Sequence, residues 1–293
     1  MEIDSDVFRL SPADKADLTE RATGIEPLFK SKKQYKKILK SHVKELSSLQ
    51  RLHYVDNHRA LLLIFQGMDT AGKDGAIRHV MSGINPQGVK VWSFKEPSAE
   101  ELRHDFLWRA TSRLPERGQI AIYNRSYYEE VVVARVHPEI LRKQELPEQL
   151  FDKKTIWTDR YRSITDFEEH LHRNGTHVIK IFLHLSKDEQ ANRLLERIDL
   201  PEKNWKVNDT DFYNRDFWES YMNAHEDCLN ATSSEHSPWF IVPADNKEDA
   251  RLIVSHVLLD WFRSLNLEYP KISESRRQEL AALRSKLTRS VES

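Results

Sequence analysis

The feature that most constrains this chain is a glycine-rich turn, GMDTAGKDG at residues 67–75, which follows the apolar run of residues 61–66. A short apolar run bounded by glycine predicts a buried strand. An apolar pattern at Ile77, Val80 and Met81 follows the turn and predicts an amphipathic helix. A strand, a G-x-x-x-x-G-K turn and a helix in this order are typical of a phosphate-binding loop. The sequence therefore predicts that this segment binds a phosphate group.

The residue types within the loop indicate how it binds. Glycines let successive N–H groups point at phosphate oxygens, Lys73 adds a positive charge, and the following helix adds the positive end of its dipole. Two carboxylates, Asp69 and Asp74, lie in the same loop, and Asp74 stands where Ser or Thr is usual. A carboxylate repels phosphate unless a divalent cation lies between them, so we predict a Mg²⁺ site here. The predicted phosphate contacts of the loop are Gly67, Met68, Thr70, Ala71, Gly72, Lys73, Asp74 and Gly75.

Length and composition limit the classes of protein to consider. The chain has 293 residues, of which 39% are hydrophobic, enough for one large α/β domain or two small ones. The single cysteine, Cys228, excludes an internal disulfide framework and suits a reducing cytoplasm. No apolar run approaches the ~20 residues that span a bilayer, and the first residues lack a signal-peptide pattern. With a formal net charge of −1, we expect a cytoplasmic protein without nucleic-acid or membrane partners.

The apolar periodicity divides the chain into three parts. Residues 1–55 predict a polar extended arm followed by a basic amphipathic helix, residues 56–270 alternate strands with helices, and residues 271–293 predict a charged peripheral helix. Strands alternating with helices favour a parallel sheet covered on both faces, so the predicted fold class is α/β. The predicted strands are residues 61–66, 88–94, 119–123, 177–185 and 240–243, and the later predicted helices include residues 99–113, 159–174 and 247–265.

A long segment at residues 186–234, between the fourth and fifth predicted strands, combines cations with aromatic residues. Its cations and aromatics include Arg193, Arg197, Lys203, Lys206, Arg215, Trp205, Tyr213, Trp218 and Tyr221. An Arg-rich helical insertion at this point predicts a lid, which excludes water and brings positive charge to a transferred phosphoryl group. The alternative is a plain helical hairpin whose aromatic residues pack in the core.

A second set of chemical groups follows the third predicted strand, which ends in Asn124 and Arg125. In phosphate-loop kinases a strand that faces the loop ends in an acidic residue that helps to hold Mg²⁺. Asparagine ligates only weakly through its carbonyl oxygen, which leaves Asp69 and Asp74 as the carboxylates for the metal. Arg125 offers a planar fork to phosphate oxygens, or it forms a structural ion pair with an acidic neighbour such as Glu129.

Several segments taken together resemble the polyphosphate kinase 2 family. They are GMDTAGKDG at 67–75, NPQG at 85–88, SFKEPS at 93–98 and NRSYYE at 124–129, with RID at 197–199 and WKVNDTD at 205–211 similar to the lid region of that family. The resemblance extends from about Phe29 to Leu265. It implies a thymidylate-kinase-like, three-layer α/β/α P-loop kinase fold, with a parallel five-stranded sheet, a helical lid at about 186–234 and an N-terminal helical extension.

The resemblance also implies an activity. It implies Mg²⁺-dependent, reversible transfer of the terminal phosphoryl group of inorganic polyphosphate to AMP or ADP, and it leaves guanine nucleotides open as acceptors. Many members have Asp at the position of Asn124, and Asn there with Glu129 resembles the subgroup that accepts both nucleoside mono- and diphosphates. By analogy with this family we expect a homo-oligomer.

The resemblance assigns roles to individual residues. The predicted catalytic residues are Asp69, Lys73 and Arg125, and Asp69 with Asn124 as a weaker ligand is predicted to hold the metal. Arg193 resembles a lid arginine that binds phosphate, and Arg135 resembles another phosphate contact. The cations expected to line the groove for the polyphosphate are Lys73, Lys95, Arg103, Arg125 and Arg135.

Two other functions agree with parts of the sequence. An ATP-dependent nucleoside monophosphate kinase of thymidylate-kinase type has the same loop, but the missing Ser or Thr after Lys73 and the missing Asp at Asn124 count against it. A non-catalytic phosphate-binding module is favoured by Asn124. It is disfavoured by Asp69 and Asp74, since a simple anion binder has no use for carboxylates in its loop.

Overall fold

The structure, a computed structural model, describes residues 3–152 and 155–291, in which a six-stranded sheet lies between two layers of helices. The strands are β1 (Arg9–Leu10), β2 (Ala60–Gln66), β3 (Val89–Ser93), β4 (Ile120–Asn124), β5 (Thr176–His184) and β6 (Trp239–Pro243). They lie in the order β1-β6-β5-β2-β4-β3, with β2 to β6 parallel and β1 antiparallel to β6. The predicted three-layer α/β/α fold with five parallel strands is confirmed, and the sheet has one further strand.

The helices also lie close to the predicted positions. They are α1 (Lys32–Asp56), α2 (Lys73–Val80), α3 (Ala99–Leu102), α4 (Trp108–Thr111), α5 (Glu129–Val136), α6 (Pro138–Arg142), α7 (Ile156–Arg173), α8 (Lys187–Asp199), α9 (Asp209–Asp216), α10 (Trp218–Thr232), α11 (Lys247–Ser264) and α12 (Glu274–Val291). α12 is exposed along its whole length. In the part of the chain that the structure describes, no helix is both long enough and apolar enough to cross a bilayer.

The prediction of one helix at residues 99–113 is wrong, because the segment forms the two short helices α3 and α4. A reciprocal pair of hydrogen bonds between Ser98 and Glu101 begins α3. Asp105 then accepts a hydrogen bond from the Leu107 N–H at 2.9 Å, immediately before α4 begins. Aspartate that bonds to nearby backbone in this way competes with continuous helix, so the chain turns between the two pieces.

The central strand β2 packs on both faces, and this fixes the position of the loop that follows it. Leu62 and Ile64 lie in the core formed with α5, α7 and α10, whereas Leu61 and Leu63 lie in the core formed with α2 and α11. All seven residues of β2 are buried. Each fully buried aliphatic side chain contributes about 1.5–3 kcal/mol, so the end of β2 gives Gly67 a rigid starting point.

The N-terminal arm is more ordered than the sequence indicated. A 3₁₀ turn at Ser5–Phe8 leads into β1, which pairs with β6 at the edge of the sheet. Leu10 is fully buried, and its carbonyl accepts a hydrogen bond from Ser233 Oγ at 2.7 Å. A strand of two residues is too short for a periodic pattern, which is why the sequence did not reveal it. The first two residues of the predicted arm and the last two of the predicted C-terminal helix lie outside the described residues.

Candidate active site

The phosphate loop lies where β2 ends and α2 begins, in the context that the motif requires. Gly67 and Gly72 have φ angles of +140° and +105°, which glycine adopts without a steric penalty. A Cβ atom on Gly67 would lie 2.7 Å from the Leu183 carbonyl oxygen of β5, so no other residue fits there. Because α2 begins at Lys73, the first N–H groups of the helix lack intrahelical partners and face the loop. The loop is therefore shaped to bind an anion.

Lys73 is buried within its own loop. Its Nζ donates hydrogen bonds to the carbonyl oxygens of Gly67 at 2.6 Å and Met68 at 3.1 Å. Burial, followed by the positive charge of Arg125, lowers the pKa of Lys73 to about 8, although Asp69 acts in the opposite direction. Lys73 thus holds a positive charge beside the loop near neutral pH and loses it at a lower pH than an ordinary lysine does.

Arg125 is the group that joins the loop to the neighbouring strand. It follows β4 with a φ of +62°, and its guanidinium donates to Asp69 and, at 2.9 Å, to Glu129. The charge of Glu129, and after it that of Asp69, raises the pKa of Arg125 despite its burial. Burial acts to raise the pKa of Asp69, but the charges of Arg125 and Lys73 outweigh it and the pKa is lowered. The structure therefore contains an ionised carboxylate in contact with a permanent cation.

The carboxylates of the loop fit a divalent cation that arrives with phosphate. Asn124 donates a hydrogen bond to Asp74, and Asn214 of α9 donates one to the second oxygen of Asp69 at 3.2 Å. Within residues 3–152 and 155–291, no three His, Cys, Asp or Glu side chains are grouped so as to hold a metal by themselves. Mg²⁺ needs only one or two carboxylates when substrate phosphates and water complete its shell. Asp69, Asp74 and the carbonyl oxygen of Asn124 supply ligands of that kind.

Two cavities meet at Arg125. The first, of about 720 Å³, adjoins the phosphate loop and is rich in cations; the second, of about 690 Å³, has a largely apolar wall. The charged residues of the basic cavity are Lys73, Arg78, Lys95, Arg125, Arg193, Arg197, Lys203, Lys206, Lys247 and Arg251, with Asp69, Asp74, Glu196 and Asp211. The apolar wall of the second cavity is formed by Phe94, Pro97, Leu102, Val133, Ile140 and Tyr213. The residues that line both cavities are Phe94, Lys95, Arg125 and Asn208.

The insertion between β5 and β6 has one part that resembles the predicted lid and one part that resembles the alternative, a helical hairpin packed in the core. Its first part, through α8 and α9, brings Arg197, Lys203 and Lys206 to the basic cavity, as expected of a lid. Trp205 lies in the same part and is 78% exposed. The second part, α10, is a core helix on which Trp218 is buried, as the hairpin alternative predicts.

The structure brings most of the predicted site residues together. Most of the predicted loop residues line the basic cavity, and the others, Gly67, Met68 and Ala71, contact a residue that lines it. One or both cavities are also lined by Lys95, Asn124, Arg125 and Glu129. Arg135 lies elsewhere, because it donates to Asp227 at 2.5 Å and to the Tyr161 hydroxyl at 3.1 Å beside a separate cavity between α7 and α10. Arg103 is exposed at the end of α3 and lines neither cavity. Arg193 borders the basic cavity, but it is buried behind the loop.

Three cations of the basic cavity were predicted neither as site residues nor as cations of the lid: Arg78 on α2, and Lys247 and Arg251 on α11. Lys247 and Arg251 are four residues apart and so share a face of the helix. α11 begins shortly after β6, at the edge of the sheet where the carboxyl ends of parallel strands meet. This position of α11 could have indicated that Lys247 and Arg251 belong to the site, because a helix that starts beside the phosphate loop presents its first turns to the same anion.

Comparison with known proteins decides the family. A family model described as polyphosphate kinase 2 (PPK2) matches residues 29–270. The chain belongs to the polyphosphate kinase 2 family. The resemblance predicted from the sequence is thereby confirmed, and α12 lies beyond the residues that match the polyphosphate kinase 2 model.

Curated relatives and a solved structure agree with this membership. Over 287 residues the chain is 54% identical to an ADP-polyphosphate phosphotransferase of Rhodopseudomonas palustris, covering 98% of the chain and 99% of the relative. Over 228 residues it is 42% identical to an AMP/ADP-polyphosphate phosphotransferase of Meiothermus ruber, covering 78% and 81%. The crystal structure of polyphosphate kinase 2 from Arthrobacter aurescens TC1 has a TM-score of 0.85 at 35% identity, covering 95% of this chain and 96% of that one.

Proposed function

We propose that this polyphosphate kinase 2 chain transfers the terminal phosphoryl group of inorganic polyphosphate to AMP and ADP, reversibly and with Mg²⁺. The observation that carries the proposal is the position of Arg125, where a cation-lined cavity meets one with an apolar wall. A polyanion is attracted by cations along its length, whereas a nucleotide takes an apolar wall for its base and a few polar groups. The names of the two relatives, which specify polyphosphate with ADP or with both AMP and ADP, support this assignment.

In this proposal the donor lies in the basic cavity with its terminal phosphate at the loop. The loop N–H groups and Lys73 bind that phosphate, and Lys95 and Arg197 bind units further along the chain. Arg125, held in orientation by Glu129, offers its guanidinium to the phosphoryl group between donor and acceptor. Phosphoryl transfer depends mainly on alignment and electrostatic stabilisation, and these residues supply both.

The metal contributes charge at the same place. Asp69 and Asp74, with Asn124 as a weaker ligand, would hold Mg²⁺ beside the loop. Bound there, the cation would neutralise charge that develops between the two phosphate groups. Asp69 pairs with Arg125 in the ligand-free protein, so a cation held by Asp69 would leave the guanidinium available for phosphate oxygens. The attacking phosphate oxygen is already ionised near neutral pH, so no general base is required.

The acceptor lies in the second cavity with its phosphates toward Arg125. The volume of about 690 Å³ is within the roughly 300–1,000 Å³ usual for small-molecule pockets. Phe94, Leu102 and Ile140 form the wall against which a base would lie. The use of both AMP and ADP rests on the resemblance of Asn124 and Glu129 to the subgroup that accepts both, and guanine acceptors stay a prediction.

The test is an assay of the purified full chain with a panel of donors and acceptors. Polyphosphate with Mg²⁺ should convert AMP to ADP and ADP to ATP, with GMP and GDP in parallel reactions, and chelation of the metal should abolish turnover. Product from AMP with ATP as the donor, and none with polyphosphate, would identify an ordinary nucleotide kinase instead. Lack of turnover with every donor would favour a non-catalytic phosphate-binding module.

The cellular location and the partners of the protein are separate from its chemistry. We propose a cytoplasmic location because the one cysteine, Cys228, is buried and unpaired with another thiol. A homo-oligomer and the absence of nucleic-acid and membrane partners stay predictions. Light scattering of the purified protein at several concentrations measures the first of these directly.

A further inference from the structure

The back of the phosphate loop is held by α8, the first helix of the insertion. Gln190 and Arg193 are buried and lie one turn apart on α8. Gln190 Nε2 donates a hydrogen bond to the Asp69 carbonyl at 3.1 Å, and Arg193 Nη1 donates to the Thr70 and Ala71 carbonyls at 3.0 Å each. Three successive carbonyls of the loop, those of residues 69–71, are therefore bonded from one helix.

The guanidinium of Arg193 is saturated by protein acceptors. Arginine has five N–H donors. Besides the two loop carbonyls, Nη2 donates to the Ala244 carbonyl at 2.5 Å and the Asp245 carbonyl at 3.0 Å, and Nε donates to Glu189 at 2.8 Å. A phosphate oxygen would bond to this group only by displacing one of these partners, and the residue is only 4% exposed.

The other carbonyls that Arg193 binds, those of Ala244 and Asp245, are held by the central sheet and by the start of α8. The Ala244 N–H donates to the His184 carbonyl at the end of β5 at 2.8 Å. The Asp245 carboxylate accepts a hydrogen bond from the Ser186 N–H at 2.8 Å, where α8 begins. Arg193 therefore connects the loop to the ends of β5 and β6, which are buried.

The loop needs such a support because its backbone is strained. Thr70 has a φ of +66°, in the left-handed region that a threonine rarely adopts. Strained residues of this kind persist only where the surrounding structure holds them. We propose that Arg193, together with Gln190, is a positioning residue that keeps the phosphate loop in its anion-binding shape and does not contact polyphosphate. The proposal rests on the proposed function and replaces the role of phosphate contact that the sequence suggested for Arg193.

The test compares Arg193→Lys with a matched cation of the groove. Lysine keeps the positive charge but has a single point donor group, so it does not bond acceptors on opposite sides. The control is Arg78→Gln, because Arg78 is exposed, lines the basic cavity and forms no ion pair with the described residues. Two quantities are measured: hydrogen exchange of the amides of residues 67–75 in the ligand-free protein, and the salt dependence of KM for polyphosphate.

The expected results differ in both quantities. Arg193→Lys should raise loop exchange by about tenfold or more, because several buried hydrogen bonds are lost. It should raise KM for polyphosphate while leaving the salt slope at the wild-type value. Arg78→Gln should leave loop exchange unchanged. It should reduce the slope of log KM against log salt concentration by about the contribution of one neutralised phosphate.

Several outcomes would overturn the proposal. It is wrong if Arg193→Lys reduces the salt slope as Arg78→Gln does, or if it leaves the loop amides as protected as in the wild type. If Arg193→Lys does not fold, Gln190→Met decides, because it removes only the support of the Asp69 carbonyl and that of Arg215. Wild-type exchange at residues 67–75 in that variant would then refute the proposal. Hydrogen exchange is measured without substrate and so tests the role of Arg193 independently of activity. If the wild-type protein shows no turnover with polyphosphate, that result refutes the proposed function and leaves the test of the loop unaffected.

Discussion

Arg125 forms an ion pair with Asp69 that joins the end of β4 to the phosphate loop. The backbone is left-handed on both sides of this contact, at Arg125 with a φ of +62° and at Thr70 with a φ of +66°. Non-glycine residues in that region cost about 1–3 kcal/mol each and cluster at binding and catalytic sites. The strain at these two places supports the assignment of the junction between the two cavities as the reacting centre.

Asp69→Asn should reduce kcat on the order of 10²–10³-fold, the usual loss for one electrostatic group at a reacting centre. The variant keeps the shape of the side chain, and its amide oxygen still accepts from Arg125 but no longer from Asn214, so the melting temperature should fall by only a few degrees and the protein should stay folded. Steady-state rates with polyphosphate and ADP, together with thermal unfolding, check both statements. Asp166→Asn is the control, since Asp166 is an exposed carboxylate paired with Arg162 at 3.8 Å on α7. Wild-type turnover of Asp69→Asn would remove Asp69 from the site.

Lys73 should make the use of polyphosphate depend on pH. Its pKa of about 8 in the ligand-free protein means that it is charged below that pH and neutral above it. Because kcat/KM reports the free enzyme, kcat/KM for polyphosphate should fall as pH rises through about 8. Bound phosphate favours the charged form, so kcat should hold to higher pH.

Lys73→Ala provides the comparison for this pH profile. It should lose activity on the order of 10²–10³-fold at every pH and should not show the fall in kcat/KM near pH 8. Rates measured from about pH 6.5 to 9.5 with both proteins separate these results. If kcat/KM of the wild type stays level across that range, Lys73 does not titrate there.

Removal of one partner from a fully buried ion pair should strongly lower the free energy of unfolding. Lys180 Nζ donates to Glu168 at 2.6 Å, and the same carboxylate accepts from the hydroxyls of Tyr127 and Tyr128 at 2.8 and 2.7 Å. Lys180→Met leaves the Glu168 charge buried and uncompensated, which costs roughly 3–5 kcal/mol. Urea unfolding monitored by circular dichroism measures the loss.

An exposed ion pair on the same helix is the control for the buried one. Arg173 contacts Glu169 at 3.0 Å, with both side chains more than half exposed. Arg173→Met should therefore change the free energy of unfolding by less than about 1 kcal/mol. The double variant Lys180→Met with Glu168→Gln should recover part of the loss, because no buried charge is left. Equal effects of Lys180→Met and Arg173→Met would contradict this account.

Asn124→Asp should strengthen binding of the metal and weaken the metal-free protein. Asn124 donates a hydrogen bond to Asp74, and the substitution replaces this donor with a second negative charge. More ligand charge raises affinity for hard cations, so half-maximal activity should need less Mg²⁺. The melting temperature should fall in a chelator and recover when Mg²⁺ is added. A melting temperature that does not respond to the metal would place the cation elsewhere.

The loop and the main strands were predictable because their signals are local. The apolar run before Gly67 and the alternation of strands with helices are visible without knowledge of the fold, and they position Lys73, Asn124 and Arg125 at one edge of the sheet. The same reasoning fails for Arg135. It lies six residues after Glu129 on α5, and at ~3.6 residues per turn its side chain points away from the face that carries Glu129.

The positioning role that we propose for Arg193 could not be predicted from the sequence, for a different reason. Its acceptors are backbone carbonyls of Thr70, Ala71, Ala244 and Asp245, which lie far from it along the chain. Every residue has a backbone carbonyl, so the sequence does not reveal which carbonyls accept a hydrogen bond from an arginine. An arginine that supports a loop and one that binds phosphate therefore look the same in the sequence. Only the burial and the occupied donors distinguish them.

The short strand β1 has a consequence for any pairing of two copies of this chain through the sheet. Because β1 covers β6, the two edge strands of the sheet in the described residues are β1, with two residues, and β3, with five. An exposed edge offers unpaired N–H and C=O groups to another chain, and Val91 on β3 is 50% exposed. If the sheet continued into a second copy, β3 would offer the longer edge, whereas pairing with β6 would require Arg9 and Leu10 to detach first. An oligomer that leaves both edges as they are is built from helix surfaces.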